Sequence, residues 1–212
     1  MYKRQALSEL PDFYTQITDD ILIKEGEWSD DENDHPTKHG IRQLIADKCG
    51  WEKPLRDLDV ISARKCWALH SWYWPRYDLI AQQSYMTAKH VIDTSGPAGR
   101  TQATRHLQQM LNNLNARNQY GPDLSEDGLI GLNTSSRLGS YLNHRGVEGD
   151  AVLSFAVNAF QLRHMSLTAI KNPGKRDFIF GWWRERCYKD VIDIIEYMKT
   201  AKEVRRHNYT HV

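Results

Sequence analysis

Apolar residues recur along this chain at intervals of three and four, separated by short polar clusters, which is the period of amphipathic helices. Phe13, Ile17 and Ile21 form one stripe spaced by four and predict a helix that opens near Pro11-Asp12 and runs to about Lys24. Proline suits a first turn, and the aspartate faces the positive end of the helix dipole. An acidic loop follows, and its ends, at Trp28 and over 37–41, read as extended, so a short β-hairpin is expected. Ile41, Leu44, Ile45 and Lys48 predict a short helix that Gly50 terminates in the left-handed conformation. Asp59 or Ser62 caps the next helix, with Ala63, Trp67, Ser71 and Trp74 on one face.

A third helix is expected over 84–94, followed by Ser95-Gly96-Pro97-Ala98-Gly99 as the boundary between two halves, 1–94 and 95–212. Beyond it, Ala103, Leu107, Met110, Leu111 and Leu114 mark a buried helix face. Asp127-Gly128-Leu129-Ile130-Gly131, with Thr134 three residues on, reads as a tight turn feeding a helix over 134–142. After Gly146–Gly149 a helix from Asp150 carries Leu153, Val157, Phe160 and His164, and Asn172-Pro173-Gly174 closes it. A last helix, with Val191, Ile194, Ile195 and Met198 inward, runs into a basic tail. The expected class is therefore α+β and predominantly α-helical, with a short hairpin or loop after the first helix.

Composition narrows the function. A net charge of +1 over 212 residues argues against a nucleic-acid binder, which works through a clear basic excess. Mean hydropathy is −0.66 and apolar runs are short, so no membrane span is expected. The N-terminal residues include Lys3 and Arg4 but no apolar stretch behind them, so no secretory signal is expected. Three cysteines, Cys49, Cys66 and Cys187, are odd in number and dispersed; they read as reduced thiols of a protein made in a cytoplasm.

The chemistry concentrates in residues 25–41, EGEWSDDENDHPTKHGI. Glu25 is the next member of the Phe13, Ile17, Ile21 series, a carboxylate placed where an apolar residue would stand. Partial desolvation at that position disfavours the charged form and raises a glutamate's pKa, as general-acid work near neutral pH requires. Gly26 breaks the helix, and Asp30, Asp31, Glu32 and Asp34 follow. The alternating acids do not make a calcium loop, because His35 stands where glycine is needed and Ile41 where a bidentate glutamate is needed. His35 and His39 have the spacing of a zinc helix, but Pro36 lies between them. Neither a phosphate loop nor a nucleophile elbow occurs, and no metal or cofactor is expected. Trp67, Trp72, Tyr73, Trp74 and Tyr77 are too dense for helical spacing to bury them all. A mixture of core packing and sugar stacking is expected.

Glu-Gly, an acidic loop, then Thr-x-x-Gly-Ile resembles the signature of glycoside hydrolase family 108, the N-acetylmuramidases of phage endolysins and bacterial secretion activator proteins. The family reads EGG, a DPGG-like turn, then TNYGI. Glu25-Gly26, Thr37 and Gly40-Ile41 match, whereas Glu27 replaces the second glycine and the glycine pair of the turn is missing. Arg56-Asp57-Leu58, Ala63, Tyr73-Trp74-Pro75 and Asp78 also match, as do Asp93, Gly99, Ala103 and Leu107-Gln108. Phe178-Ile179-Phe180-Gly181-Trp182 resembles the family's FxxGW segment.

The resemblance implies a lysozyme-like fold with a catalytic half and a helical peptidoglycan-binding half. It implies hydrolysis of the β-1,4 bond between N-acetylmuramic acid and N-acetylglucosamine. Glu25 would be the acid, with Asp34 and Thr37 assisting and Asp30 and Asp31 competing with Asp34. His39, Tyr73, Trp74, Asp93 and Trp182 would contact substrate. The expected setting is an endolysin made in the host cytoplasm and acting as a monomer on the cell wall, after release by a holin or another factor. A non-catalytic wall-binding or secretion-associated protein of the same fold is the alternative.

Overall fold

The computed structural model describes residues 12–30 and 35–209, with side chains over 14–30 and 35–201. It packs as two compact units, Met1–Trp74 and Pro75–Val212. The described residues are mostly helical, with one small sheet of two strands.

In the first unit, α1 (Asp12–Glu25) leads into β1 (Trp28–Ser29), which pairs antiparallel with β2 (Thr37–Lys38). The hairpin expected from the extended loop ends is therefore present. Next come α2 (Gln43–Lys48), a 3₁₀ turn (Leu55–Asp57) and α3 (Val60–Ala68), which continues into a π-helical segment (Leu69–Tyr73). Local chemistry explains these boundaries. Gly50 has φ 86°, as a left-handed terminator should, and the Asp59 carboxylate caps α3 by accepting from the Ser62 N–H at 2.8 Å. Ile17 and Ile21 of the α1 stripe are buried, and α1 and α2 both pack on α3.

The π-helical segment re-sorts the aromatics. The Trp74 N–H donates to the Leu69 carbonyl, five residues back, at 3.0 Å. That extra residue in the turn rotates everything after it relative to an α-helical register. Trp72 thus turns inward and packs against Tyr14, ring centroids 4.6 Å apart, while Trp74 is left 38% exposed instead of sharing the face of Ala63, Trp67 and Ser71.

The second unit contains α4 (Asp78–Ala81), α5 (Tyr85–Ala98), α6 (Arg100–Asn113), α7 (Leu132–Lys171), α8 (Arg176–Trp182), a π-helical segment (Trp183–Tyr188) and α9 (Lys189–Tyr209). The 95–99 segment is not the loop that its composition predicts. α5 runs through Pro97 and stops only at Gly99, φ 79°. Proline in a last turn removes a single backbone bond, and α5 and α6 both pack on α7, which holds the helix together. α7 bends at Gly146 (φ 60°, ψ −151°), where the sequence predicted a break.

Polar groups run through the interior of this unit. The Asp150 carboxylate accepts from Ser84 Oγ (2.6 Å), Thr87 Oγ1 (2.7 Å) and the Tyr197 hydroxyl (2.9 Å). Asp93, 2% exposed, accepts from Arg186 Nη1 at 2.7 Å and from the Gln161 amide at 2.9 Å. Fully buried His90 lies 3.4 Å from the Asp190 carboxylate. Around them Val91, Ile92, Leu107, Leu111, Leu138, Leu153 and Val157 form the apolar core.

Candidate active site

The candidate site is assembled in the first unit, where α1 ends against the hairpin. Glu25 is the last residue of α1 and is half-buried. Gly26, φ 73°, then turns the chain into β1. Across the hairpin Trp28 stands opposite Lys38, and Ser29 opposite Thr37.

β2 continues into a tight turn at 38–41. The Lys38 N–H donates to the Ile41 carbonyl at 3.0 Å, and the Ile41 N–H returns to the Lys38 carbonyl at 2.9 Å. Both central residues have positive φ, 54° at His39 and 73° at Gly40. This is the two-residue turn whose twist matches a hairpin, and it demands glycine or a residue tolerant of the left-handed region. At Gly40 a second requirement adds to the first. A Cβ there would lie 2.5 Å from Glu25 Cγ and 2.9 Å from its Cβ and Cδ. The Glu25 side chain therefore rests directly on the bare backbone of the turn.

The turn is fixed from the other side. Trp67, 4% exposed on α3, donates its indole N–H to the His39 carbonyl at 3.0 Å. The His39 N–H donates to the Glu27 carbonyl at 2.9 Å, and the Glu27 carboxylate pairs with Lys38 Nζ at 2.6 Å. Glu27 thus ties the two strands together. The hydrogen bond and charge of Lys38 hold the Glu27 carboxyl below the usual range. Burial, then the Lys38 charge beside it, lowers the pKa of the His39 imidazole. At the outer strand, the Arg56 guanidinium sits 4.4 Å from the Trp28 ring centroid and 4.0 Å from the Asp30 carboxylate.

The predicted residues fall into two groups. Glu25, Thr37, His39, Tyr73 and Trp74 belong to the first unit. Thr37 is half-buried on β2, Tyr73 is half-buried and Trp74 is exposed; Trp67 and Trp72 are core. Asp34 and its competitor Asp31 lie outside the described residues. Asp93 and Trp182 belong to the second unit. Asp93 has no surface to offer a polysaccharide, because its carboxylate is enclosed with Arg186 and Gln161. Trp182 is half-buried and stacked with Phe178, centroids 6.1 Å apart.

Trp67 is a positioning residue that periodicity hides, since it counts as one more apolar residue on the α3 stripe. Its signal is chemical: a buried indole N–H needs an acceptor. Arg186, which no local pattern singles out, is the counter-ion of Asp93.

None of the three cysteines is in a disulfide; Cys66 and Cys187 are buried and Cys49 is half-buried. Cys49 Sγ contacts the Cys66 carbonyl oxygen at 3.9 Å. The hydrogen bond with Cys49, together with burial, pushes the Cys66 thiol up, away from a nucleophilic thiolate. Among the described residues, no three His, Cys, Asp or Glu side chains gather as metal ligands, and no helix is long and apolar enough to cross a membrane.

A predominantly helical chain with one small hairpin after its first helix defines the fold class. Among solved structures the chain is similar to SagA of Brucella abortus, with a TM-score of 0.58 at 14% sequence identity. The match covers 87% of this chain and 94% of that one, so the likeness is of the whole fold. No family model matches the sequence, and no curated protein sequence does.

Proposed function

We propose that this chain is a muramidase: a lysozyme-like glycoside hydrolase that cleaves the β-1,4 bond between N-acetylmuramic acid and N-acetylglucosamine in peptidoglycan, as a phage-type endolysin. The observation that carries the reading is Glu25, half-buried at the end of α1 and seated on the Gly40 turn. A carboxyl seated at a helix end on the backbone of a tight turn is a defined point from which a proton can be delivered. The motif resemblance around Glu25-Gly26, Thr37 and Gly40-Ile41 and the whole-chain likeness of fold to SagA support the same reading.

In this mechanism Glu25 protonates the leaving glycosidic oxygen as the anomeric carbon gains oxocarbenium character. Asp34 and Thr37 hold the water that attacks from the opposite face, so the product has inverted configuration. Inversion needs the two carboxyls about 6.5–9.5 Å apart to admit that water. Asp34 lies nine residues beyond Glu25, across a glycine break, and Thr37 follows at the start of β2. His39, Tyr73 and Trp74 are the proposed sugar contacts. The wall is reached from the cytoplasm through a holin or another release factor.

Glu25→Gln tests the reading. It keeps the side-chain shape and removes the proton, so release of reducing ends from purified peptidoglycan should fall by two or more orders of magnitude. A folded Glu25→Gln protein with near-wild-type release would refute the assignment. Binding to sacculi without any release by the unaltered protein would favour a non-catalytic wall-binding protein.

A further inference from the structure

Two of the three cysteines meet within the first unit, although they stand 17 positions apart. Cys49 caps the C-terminus of α2 and Cys66 lies on α3, and these two helices pack on one another. The Cys49 thiol donates to the Cys66 carbonyl at 3.9 Å, and the two thiols hydrogen-bond to each other. Sulfurs in contact are within reach of a covalent bond. A disulfide sets them about 2 Å apart, which side-chain rotation supplies with little backbone movement. Cys187 is buried and belongs to the second unit.

The two thiols are not equivalent. Cys49 is half-buried and open to a small oxidant at the end of α2, whereas Cys66 is 2% exposed. Contact with the Cys49 thiol, then burial, keeps Cys66 protonated. An accessible sulfur that attacks the oxidant, beside an enclosed one that resolves the adduct, is the arrangement of a redox-responsive pair.

We propose that Cys49 and Cys66 are a redox pair that closes to a disulfide when the chain meets a disulfide oxidant, stapling α2 to α3. The Cys49 thiolate attacks one sulfur of the oxidant, and the oxidant's other sulfur leaves as a thiolate. Cys66 then gives up its proton, and its sulfur attacks Cys49 Sγ and expels the second oxidant thiolate. Two protein thiols thus lose two protons and two electrons, and one oxidant disulfide becomes two thiols. The bridge encloses residues 49–66, which include the 3₁₀ turn that carries Arg56. It also anchors the neighbour of Trp67, whose indole N–H holds the His39 carbonyl of the turn beneath Glu25. The staple therefore fixes the scaffold of the candidate site. Its timing rests on the wall-acting reading: a chain made among reduced thiols and released into an oxidising compartment is locked on arrival.

The test uses the full chain, first reduced and then held in excess oxidised glutathione. Thiols titrated after denaturation should fall from three to one, and non-reducing peptide mapping should recover Cys49 joined to Cys66 within one chain. The oxidised protein should melt about 5 °C or more above the reduced one, as a bridge closing a loop of this length requires, and dithiothreitol should reverse the shift. Cys187→Ser should show the same shift, whereas Cys49→Ser and Cys66→Ala should show none. Retention of all three thiols, a glutathione adduct left on Cys49, or a bridge to Cys187 or to a second chain would each overturn the proposal. So would unchanged melting of the bridged protein, or an oxidation-dependent shift that survives in Cys49→Ser. Neither readout needs glycan cleavage, so failure here leaves the Glu25 assignment standing, and failure of that assignment leaves the pair standing.

Discussion

Gly40→Ala and Gly26→Ala form a matched pair that isolates the contact beneath Glu25. Both glycines have φ 73°, so alanine at either position carries a similar left-handed backbone cost of about 1–2 kcal/mol. They differ in what a Cβ meets: nothing within 4 Å at Gly26, but three Glu25 carbons at 2.5–2.9 Å at Gly40. Rotation about χ1 moves the Cγ and Cδ of Glu25 and leaves its Cβ in place. The turn or the helix end must therefore retreat, and such overpacking costs about 1–3 kcal/mol more. Gly40→Ala should thus lose about 2–5 kcal/mol in urea unfolding followed by tryptophan fluorescence, against about 1–2 kcal/mol for Gly26→Ala. Retreat on the order of 1 Å misplaces the proposed acid, so reducing-end release should fall about a hundredfold in Gly40→Ala, and much less in Gly26→Ala. Equal stability losses in the two variants, to within about 0.5 kcal/mol, would refute the seating of Glu25 on this turn.

Three further predictions concern the second unit. Truncation after Thr94 cuts α5 and removes the α6 and α7 surfaces on which it packs, stranding the buried residues Ala88, Val91 and Ile92; the 1–94 fragment should melt without cooperativity, and a cooperatively melting, fully active fragment would show that it is independent. His106, 5% exposed against Phe160, is lowered to about 4 by burial, then by the His164 and Arg163 charges. Its unfolded value is near 6.5, so the unfolded chain takes up the proton first. The His106 contribution is complete above about pH 6.5 and is lost as pH falls towards 4, a slope that His106→Gln should flatten in denaturation curves. Asp93→Ala leaves the Arg186 guanidinium buried without its carboxylate partner and should cost about 3–5 kcal/mol in urea unfolding, whereas a loss below about 1 kcal/mol would show that the pair matters little.

Features governed by a few neighbouring residues were legible in the sequence. The α1 stripe, the Asp59 cap, the Gly50 terminator, the Gly146 bend and the hairpin all follow from local spacing or turn chemistry. So did the placing of Glu25 at a helix end beside a polar loop. What sequence did not disclose depends on partners far along the chain. Gly40 was legible as part of a turn, but not as the surface beneath Glu25. The Asp93–Arg186 pair joins residues 93 positions apart, so no window of periodicity contains both. Helix irregularity misled in two places. The Ser95–Gly99 composition predicts a helix end at Thr94, yet packing carries α5 through Pro97, and the π-helical segment at Leu69–Tyr73 moves Trp74 off the face that a constant period assigns to it.

The Asp93–Arg186–Gln161 contact also acts as a lock on alignment. Leucine against leucine tolerates a small slide of one helix along another, because one methyl serves about as well as the next. A carboxylate that meets a guanidinium and an amide in a closed interior fits one alignment of the segments that carry them. Slippage of α5, α7 or the segment carrying Arg186 would strand a charge at a cost of several kcal/mol. The helices of this unit are therefore free to separate together on unfolding, but not to shift register while folded. Substitutions that change the charge at position 93 should persist only with a compensating change at 186, so the two sites are expected to vary as one.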